Sequence, residues 1–279
     1  MVLKFPHKSL GLTAPAVMGI LNVTPDSFFD GGKYDSEEKI IDQVEKMLRE
    51  GASIIDVGAC STRPGAKELA VEEELKRLLP VLSLIRKKFP QAVISVDTYR
   101  AEVAKGSIKC GADMINDVSG GTLDAKMFDA IAEAGVPYVL MHMRGKPETM
   151  SRYTDYDDVV SAVMNYFVER IQLARRSGIG QLILDPGFGF AKTTEQNYEL
   201  LSALPLMKEL GCPILTGVSQ KSMINKIIGS SSSEALNGTT VMNTIALMHG
   251  ADILRVHDVK EAVEAVKIIS FATGNKLTV

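Results

Sequence analysis

Acidic, amide and basic residues recur just beyond short apolar runs throughout this 279-residue chain. Asn22 follows Ala16–Leu21, and Asp56 lies in Ser53–Val57 ahead of Ser61-Thr62-Arg63-Pro64-Gly65. Asp97 follows Val93–Val96, Asn116 and Asp117 follow Met114–Ile115, and His142 and Arg144 follow Tyr138–Met141. Asp185 follows Leu182–Leu184; Ser219, Lys221 and Ser222 follow Ile214–Thr216; Arg255 and His257 adjoin Ile253–Leu254. Two chemistries separate. Asp97, Asn116, Asp185 and Lys221 supply the acceptors and donors that read a planar, hydrogen-bond-rich heterocycle along its edge. Thr62, Arg63, Arg255 and His257 are hydroxylic or cationic, and guanidinium forks suit a phosphate or diphosphate. A lone aspartate after a strand is as often a cap as a ligand. Asp117 and Asp258 read as caps, Asp155, Asp157 and Asp158 as the start of a helix, His142 as packed, His7 and His249 as surface or structural, and Met141-His142-Met143 as core. Recurrence at nearly every run favours a site.

The elements that must position these residues alternate. Near-continuous apolar runs, rather than alternating ones, are expected of parallel strands buried on both faces. Between them lie the amphipathic stretches Ser36–Glu50, Val71–Lys88, Arg100–Lys109, Asp124–Ala134, Asp157–Ser177, Thr194–Glu209 and Leu236–His249, and Lys260–Thr273 closes the chain. Gly51, Gly111, Gly135, Gly211 and Gly250 each end a helical stretch just before a strand, as the left-handed C′ position prefers. Eight such units predict one (β/α)8 TIM barrel over residues 1–279, a parallel eight-stranded barrel ringed by helices. Its active site belongs at the carboxyl ends of the strands, where the polar residues fall. A doubly wound sheet would carry a Gly-rich phosphate turn after the first strand, where this chain has Asn22 and Pro25.

Composition narrows the partners. The chain is 46% hydrophobic, enough for one large core. A net charge of −3 without a Lys/Arg-rich block argues against nucleic acid or an anionic membrane surface, so an anion must be met by a focused site. Cys60, Cys110 and Cys212 are odd in number and widely spaced, which suggests neither a disulfide framework nor a zinc site. The N-terminus lacks an apolar leader and no run approaches a spanning helix, so a cytoplasmic protein is expected.

The segments MGILNVTPDSFFDGG, IIDVGACSTRPGA, SVDTYRAEV, INDVSGG, LMHMRGKPETM, LDPGFGFAKT, GVSQKSMI and RVHDVKEA, in order from about residue 14 to about residue 270, resemble the dihydropteroate synthase family of the bacterial folate pathway. That resemblance implies a transferase joining 6-hydroxymethyl-7,8-dihydropterin diphosphate to 4-aminobenzoate, with release of diphosphate. It implies a pterin pocket of Asp97, Asn116, Asp185 and Lys221 walled by Met141, and a diphosphate grip of Thr62, Arg63, Arg255 and His257. It further implies Mg²⁺ at Asn22, and Phe28, Pro64 and Ser222 beside the aminobenzoate and its sulfonamide mimics. Arg63, Lys221, Arg255 and His257 are the expected catalytic set, and a homodimer through C-terminal helices is the expected assembly. Cys60, Phe29 and Gln220 depart from the family's usual Glu, Ser and Arg, and Gln220 is expected to lower the positive potential near the benzoate carboxylate. The rival readings are a pterin-binding methyltransferase domain, which needs no diphosphate grip, and a non-catalytic pterin-binding paralogue.

Overall fold

Strands buried on both faces must pair along both edges, and a closed ring satisfies that requirement. A computed structural model describes residues 1–23, 33–59, 69–146 and 149–274. A hairpin of β1 (Val2–Lys4) and β2 (Ser9–Gly11) precedes the eight ring strands. These are β3 (Ala16–Asn22), β4 (Ile54–Gly58), β5 (Ile94–Asp97), β6 (Met114–Asp117), β7 (Tyr138–Met141), β8 (Leu182–Asp185), β9 (Leu215–Thr216) and β10 (Ile253–Val256). They pair in parallel in the order β8-β7-β6-β5-β4-β3-β10-β9. A parallel bridge from Leu184 to Ile214 joins the two ends, with Leu184 N donating to Pro213 O at 2.9 Å.

The helices are α1 (Lys33–Glu50), α2 (Val71–Lys88), α3 (Ala101–Lys109), α4 (Met127–Ala134), α5 (Val159–Arg176), α6 (Thr194–Ser202), α7 (Leu204–Met207), α8 (Ser222–Ile228), α9 (Leu236–Met248) and α10 (Val259–Ala272). Their apolar faces meet the outer faces of the strands in one cluster that includes Ile40, Leu78, Leu82, Ile131, Phe167 and Leu254. All five helix-ending glycines named above have positive φ. Gly19 of β3 has no room for a methyl group, because a Cβ there would lie 2.7 Å from Met47 Sδ of α1.

Three features differ from the expectation. The expected helix Thr194–Glu209 is broken at Ala203, and Pro205, which has no N–H to give, sits in the first turn of α7. Asp124 does not begin α4; its carboxylate accepts from Lys126 N at 2.9 Å and from Ala101 N at 2.7 Å, holding a turn that ties α3 to α4. The hairpin β1–β2 was not foreseen. Leu3, Phe5 and Leu12 pack on Ala16, Met18, Ile54, Met114, Leu215 and Ile253 at the amino end of the ring, forming a floor. Gln181 clamps that floor by exchanging two 2.7 Å hydrogen bonds with the backbone of Lys4.

Candidate active site

The register lines up the expected residues. Asn22 pairs with Gly58, Gly58 with Asp97, Asp97 with Asn116, and Met141 with Asp185, all at carboxyl ends. Gly58 leaves a gap between its neighbours: Asp97 Oδ2 and Asn22 Oδ1 lie 3.8 and 3.9 Å from where a Cβ would stand. Asp97, Asn116, Asp185 and Met141 are buried, whereas Asn22 is exposed.

Arg255, from β10, reaches across the mouth to two strands. Its Nε donates to Asp56 Oδ2 at 2.7 Å and its Nη2 to Asp97 Oδ2 at 2.8 Å. Asn116 Nδ2 donates to the same Asp56 oxygen at 3.1 Å. Two buried carboxylates therefore share one guanidinium. Burial pushes Asp97 up to about 7, against the pull of Arg255, with Asp56, Glu74 and Asp117 adding repulsion. Burial opposes the Arg255 charge, but Asp56 and Asp97 outweigh it and hold the guanidinium protonated well above its ordinary range.

On the other side of the mouth, Asp185 turns back on its own loop. Its Oδ1 accepts from Gly187 N at 2.8 Å, and burial raises its pKa despite the opposing charge of Lys221. Lys221 caps the start of α8, donates from Nζ to the Phe188 carbonyl, and lies 4.8 Å from the centre of the Phe190 ring. Burial brings its pKa down to about 8, although Asp185 supports the charge. A side chain at Gly187, whose φ is +69°, would run into the His142 carbonyl. His257 is joined to Ser219 twice, by Nδ1 to Oγ at 3.0 Å and by its backbone N–H to Oγ at 3.2 Å.

Ser222 opens α8 beside the mouth and lines a cavity of about 590 Å³ with Gly189, Lys192, Thr193, Lys226 and Ile227. The Gln220 amide donates to Asp258 Oδ2 at 3.2 Å, so this side chain ties the Lys221 loop to the start of α10. Phe28, Phe29, Cys60, Thr62, Arg63 and Pro64 lie outside the described residues. Of the residues read as caps or helix starts, Asp158 caps α5 through Ser161 N at 3.0 Å. Asp155 and Asp157 lie ahead of that helix, Asp258 makes no side-chain cap bond to α10, and Asp117 holds a turn through Ser119 N and Gly121 N rather than a helix start. His142 is buried against Tyr166, with ring centres 4.9 Å apart, and burial drives its pKa down to about 2.

Sequence reasoning missed two supports of the mouth. Glu74, buried in the first turn of α2, accepts from Thr98 Oγ1 at 2.7 Å and pairs with Arg100, both just beyond Asp97. Lys192 is buried among three acceptors around Asp185. No local signal marked either one: Glu74 stands in the acidic run Glu72-Glu73-Glu74, and Lys192 in a polar stretch ahead of a helix, and both are buried only because folding supplies their partners.

Comparison with known proteins identifies the family. The profile of a family described as "Pterin binding enzyme" matches residues 18–257. Dihydropteroate synthase of Escherichia coli K12 is 48% identical over 270 residues, which is 96% of this chain and 95% of that protein. A Yersinia pestis dihydropteroate synthase solved with a sulfonamide drug superposes with a TM-score of 0.92 at 40% identity, covering 98% of this chain and 100% of that one. The Xanthomonas albilineans enzyme in complex with 7,8-dihydropteroate gives a TM-score of 0.87 at 38% identity over 98% and 99% of the two chains. With an aspartate- and amide-lined barrel mouth and likeness along almost its whole length, the chain belongs to the dihydropteroate synthases of the pterin-binding enzyme family.

Proposed function

We propose that the barrel mouth condenses 6-hydroxymethyl-7,8-dihydropterin diphosphate with 4-aminobenzoate, giving 7,8-dihydropteroate and diphosphate. The observation that carries this reading is the cluster in which Arg255 bridges Asp56 and Asp97 while Asn116 donates to Asp56. Arg255 takes one Asp97 oxygen and Asp56 takes the Asn116 amide N–H, which leaves the second Asp97 oxygen and the Asn116 carbonyl for the N–H groups of an aminopyrimidine. Asp185 and Lys221 complete the recognition from the opposite side, with Met141 as an apolar wall.

The reaction is a dissociative substitution at the pterin methylene. The carbon–oxygen bond breaks and its electron pair leaves with diphosphate. The amine nitrogen then attacks the electron-poor methylene and gives up a proton to solvent. Arg255 and His257, together with Thr62 and Arg63, stabilise the negative charge that builds on the leaving group. Phe28, Pro64 and Ser222 are the residues assigned to the aromatic amine. Asn22 would hold Mg²⁺. Its exposed amide oxygen borders the Gly58 gap beside Asp97, and a hard oxygen donor with diphosphate oxygens suits this ion. Among the described residues no group of three or more His, Cys, Asp or Glu could hold a metal alone, so the fit is one that diphosphate itself completes. When bound, Mg²⁺ supplies charge neutralisation at diphosphate.

A coupled assay of diphosphate release, with and without 4-aminobenzoate, tests this. Release that depends strictly on the amine is the expected result, and absence of turnover with both substrates overturns the proposal. The protein works as a homodimer in the cytoplasm. Phe271, 90% exposed, and Ile268 are uncovered apolar residues of α10, and Val241 and Met248 of the neighbouring α9 are exposed as well, which supports the dimer. The free thiols of Cys110 and Cys212 suit a reducing compartment, and no described helix is long and apolar enough to cross a membrane.

A further inference from the structure

Lys192 is a buried cation with no assigned role in the chemistry above. Its Nζ lies 3.0 Å from each of three groups: His142 Nδ1, the Gly187 carbonyl and the Phe190 carbonyl. An ammonium has three N–H bonds, so the count of donors matches the count of acceptors when the neutral His142 ring presents its lone pair at Nδ1. The match is needed because the site disfavours charge. Burial brings Lys192 down to about 7, with Lys221 and Arg144 opposing it and Asp185 supporting it.

What Lys192 ties together is the turn on which Lys221 rests. Gly187 N is held by Asp185 Oδ1 at 2.8 Å, Phe190 N donates back to Gly187 O at 3.1 Å, and Gly189 N donates to Asn197 Oδ1 at 2.7 Å. Ala191, directly before Lys192, has φ of +49°, a left-handed conformation that a non-glycine residue keeps only when its surroundings enforce it. The product of this enforcement is a carbonyl at Phe188 and a ring at Phe190, the two groups that receive the Lys221 ammonium. His142 anchors the arrangement to the barrel, since its backbone N–H donates to the Asp185 carbonyl at 2.9 Å and its ring is wedged between Tyr156 and Tyr166.

We propose that Lys192 is a positioning residue for the reaction: by pinning the 187–190 turn to His142 it sets where the Lys221 ammonium stands, and it acts on the pterin chiefly through Lys221. This rests on the pterin-binding reading of the mouth. The prediction is one of coupling rather than of mere loss, because two residues that act through one contact give non-additive effects.

The test is a double-mutant cycle read by calorimetric binding of 6-hydroxymethylpterin to the wild-type chain, Lys192→Met, Lys221→Met and the double variant. Lys192→Met is expected to weaken binding roughly tenfold or more, as a small misplacement of a binding group does. In the Lys221→Met background the same change is expected to cost less than about twofold, and Lys192→Arg is expected to restore most of the affinity to the single variant. Equal losses in both backgrounds, or a folded Lys192→Met protein that binds like the wild type, would overturn the proposal. Should Lys192→Met fail to fold, Lys192→Gln carries the same cycle, because its shorter side chain cannot reach the three acceptors that the ammonium joins. Because binding is measured apart from turnover, a wild-type protein that binds the pterin but releases no diphosphate would defeat the reaction proposed above and leave this inference standing.

Discussion

At the scale of single residues, the shared guanidinium is the feature with the largest consequence. Removing Arg255 takes away the proposed diphosphate contact and also strands two buried carboxylates, Asp56 and Asp97, beside each other. Breaking a buried pair from one side costs about 3–5 kcal/mol, so Arg255→Ala is expected to lower the unfolding free energy by that order and to weaken pterin as well as diphosphate. Urea denaturation and calorimetry with each ligand measure the two effects, and loss confined to diphosphate would contradict the shared-guanidinium account. Arg255→Lys should rescue little, since an ammonium cannot fork to both carboxylates. Asp97 makes a second prediction. Its pKa in the folded protein, about 7, is above its unfolded value, so the native state holds the extra proton between about pH 4 and about pH 7. Stability from this group is therefore present below the unfolded value and declines as pH rises through that window. Asp97→Asn should remove the decline, and its gain over wild type in thermal midpoint should grow from pH 5 to pH 7; a constant difference would refute this. The residues of the mouth were legible in the sequence because each follows a strand that announces itself. Glu74 and Lys192 were not, because their meaning lies in partners brought near only by folding, such as Arg100 and His142.

At the scale of elements, legibility followed burial. The ring strands from β3 to β8 and β10 are apolar on both faces and stand out as short runs, and the expected Val71–Lys88 helix coincides with α2. The hairpin strands, three residues each, are too short to show a period, and α8, with seven residues, lies in a stretch read for its chemistry rather than its pattern. The turn after β8 is an element in its own right. Gly187 permits it twice over, by its positive φ and by the absence of a side chain where the His142 carbonyl passes. Gly187→Ala should therefore destabilise the protein by more than about 1 kcal/mol, the usual cost of alanine in a strained left-handed site. It should also raise the KM for the pterin substrate by displacing the Phe188 carbonyl from Lys221. A thermal midpoint and KM equal to wild type would show that the backbone there adapts without cost.

At the scale of the whole molecule, chemistry and closure occupy opposite ends of the barrel. The mouth gathers charged groups that cost stability, and the floor gathers Leu3, Phe5 and Leu12 against the first residues of the ring strands. The exposed apolar residues of α9 and α10 carry the proposed dimer. Ile268→Glu together with Phe271→Glu is expected to give a monomer by light scattering with the barrel still folded, whereas an unchanged mass would move the interface elsewhere. The floor also has a bearing on how the chain is made. Synthesis delivers the hairpin before every ring strand, yet the surface it must cover includes Leu215 and Ile253, from the last two ring strands to be made. The hairpin's apolar side chains thus wait for partners that follow most of the barrel, and the clamp between Lys4 and Gln181 can form only once synthesis has passed β7. A nascent barrel of this design spends most of its synthesis with its floorboard unattached, which makes residues 2–12 the natural ones for a chaperone to hold.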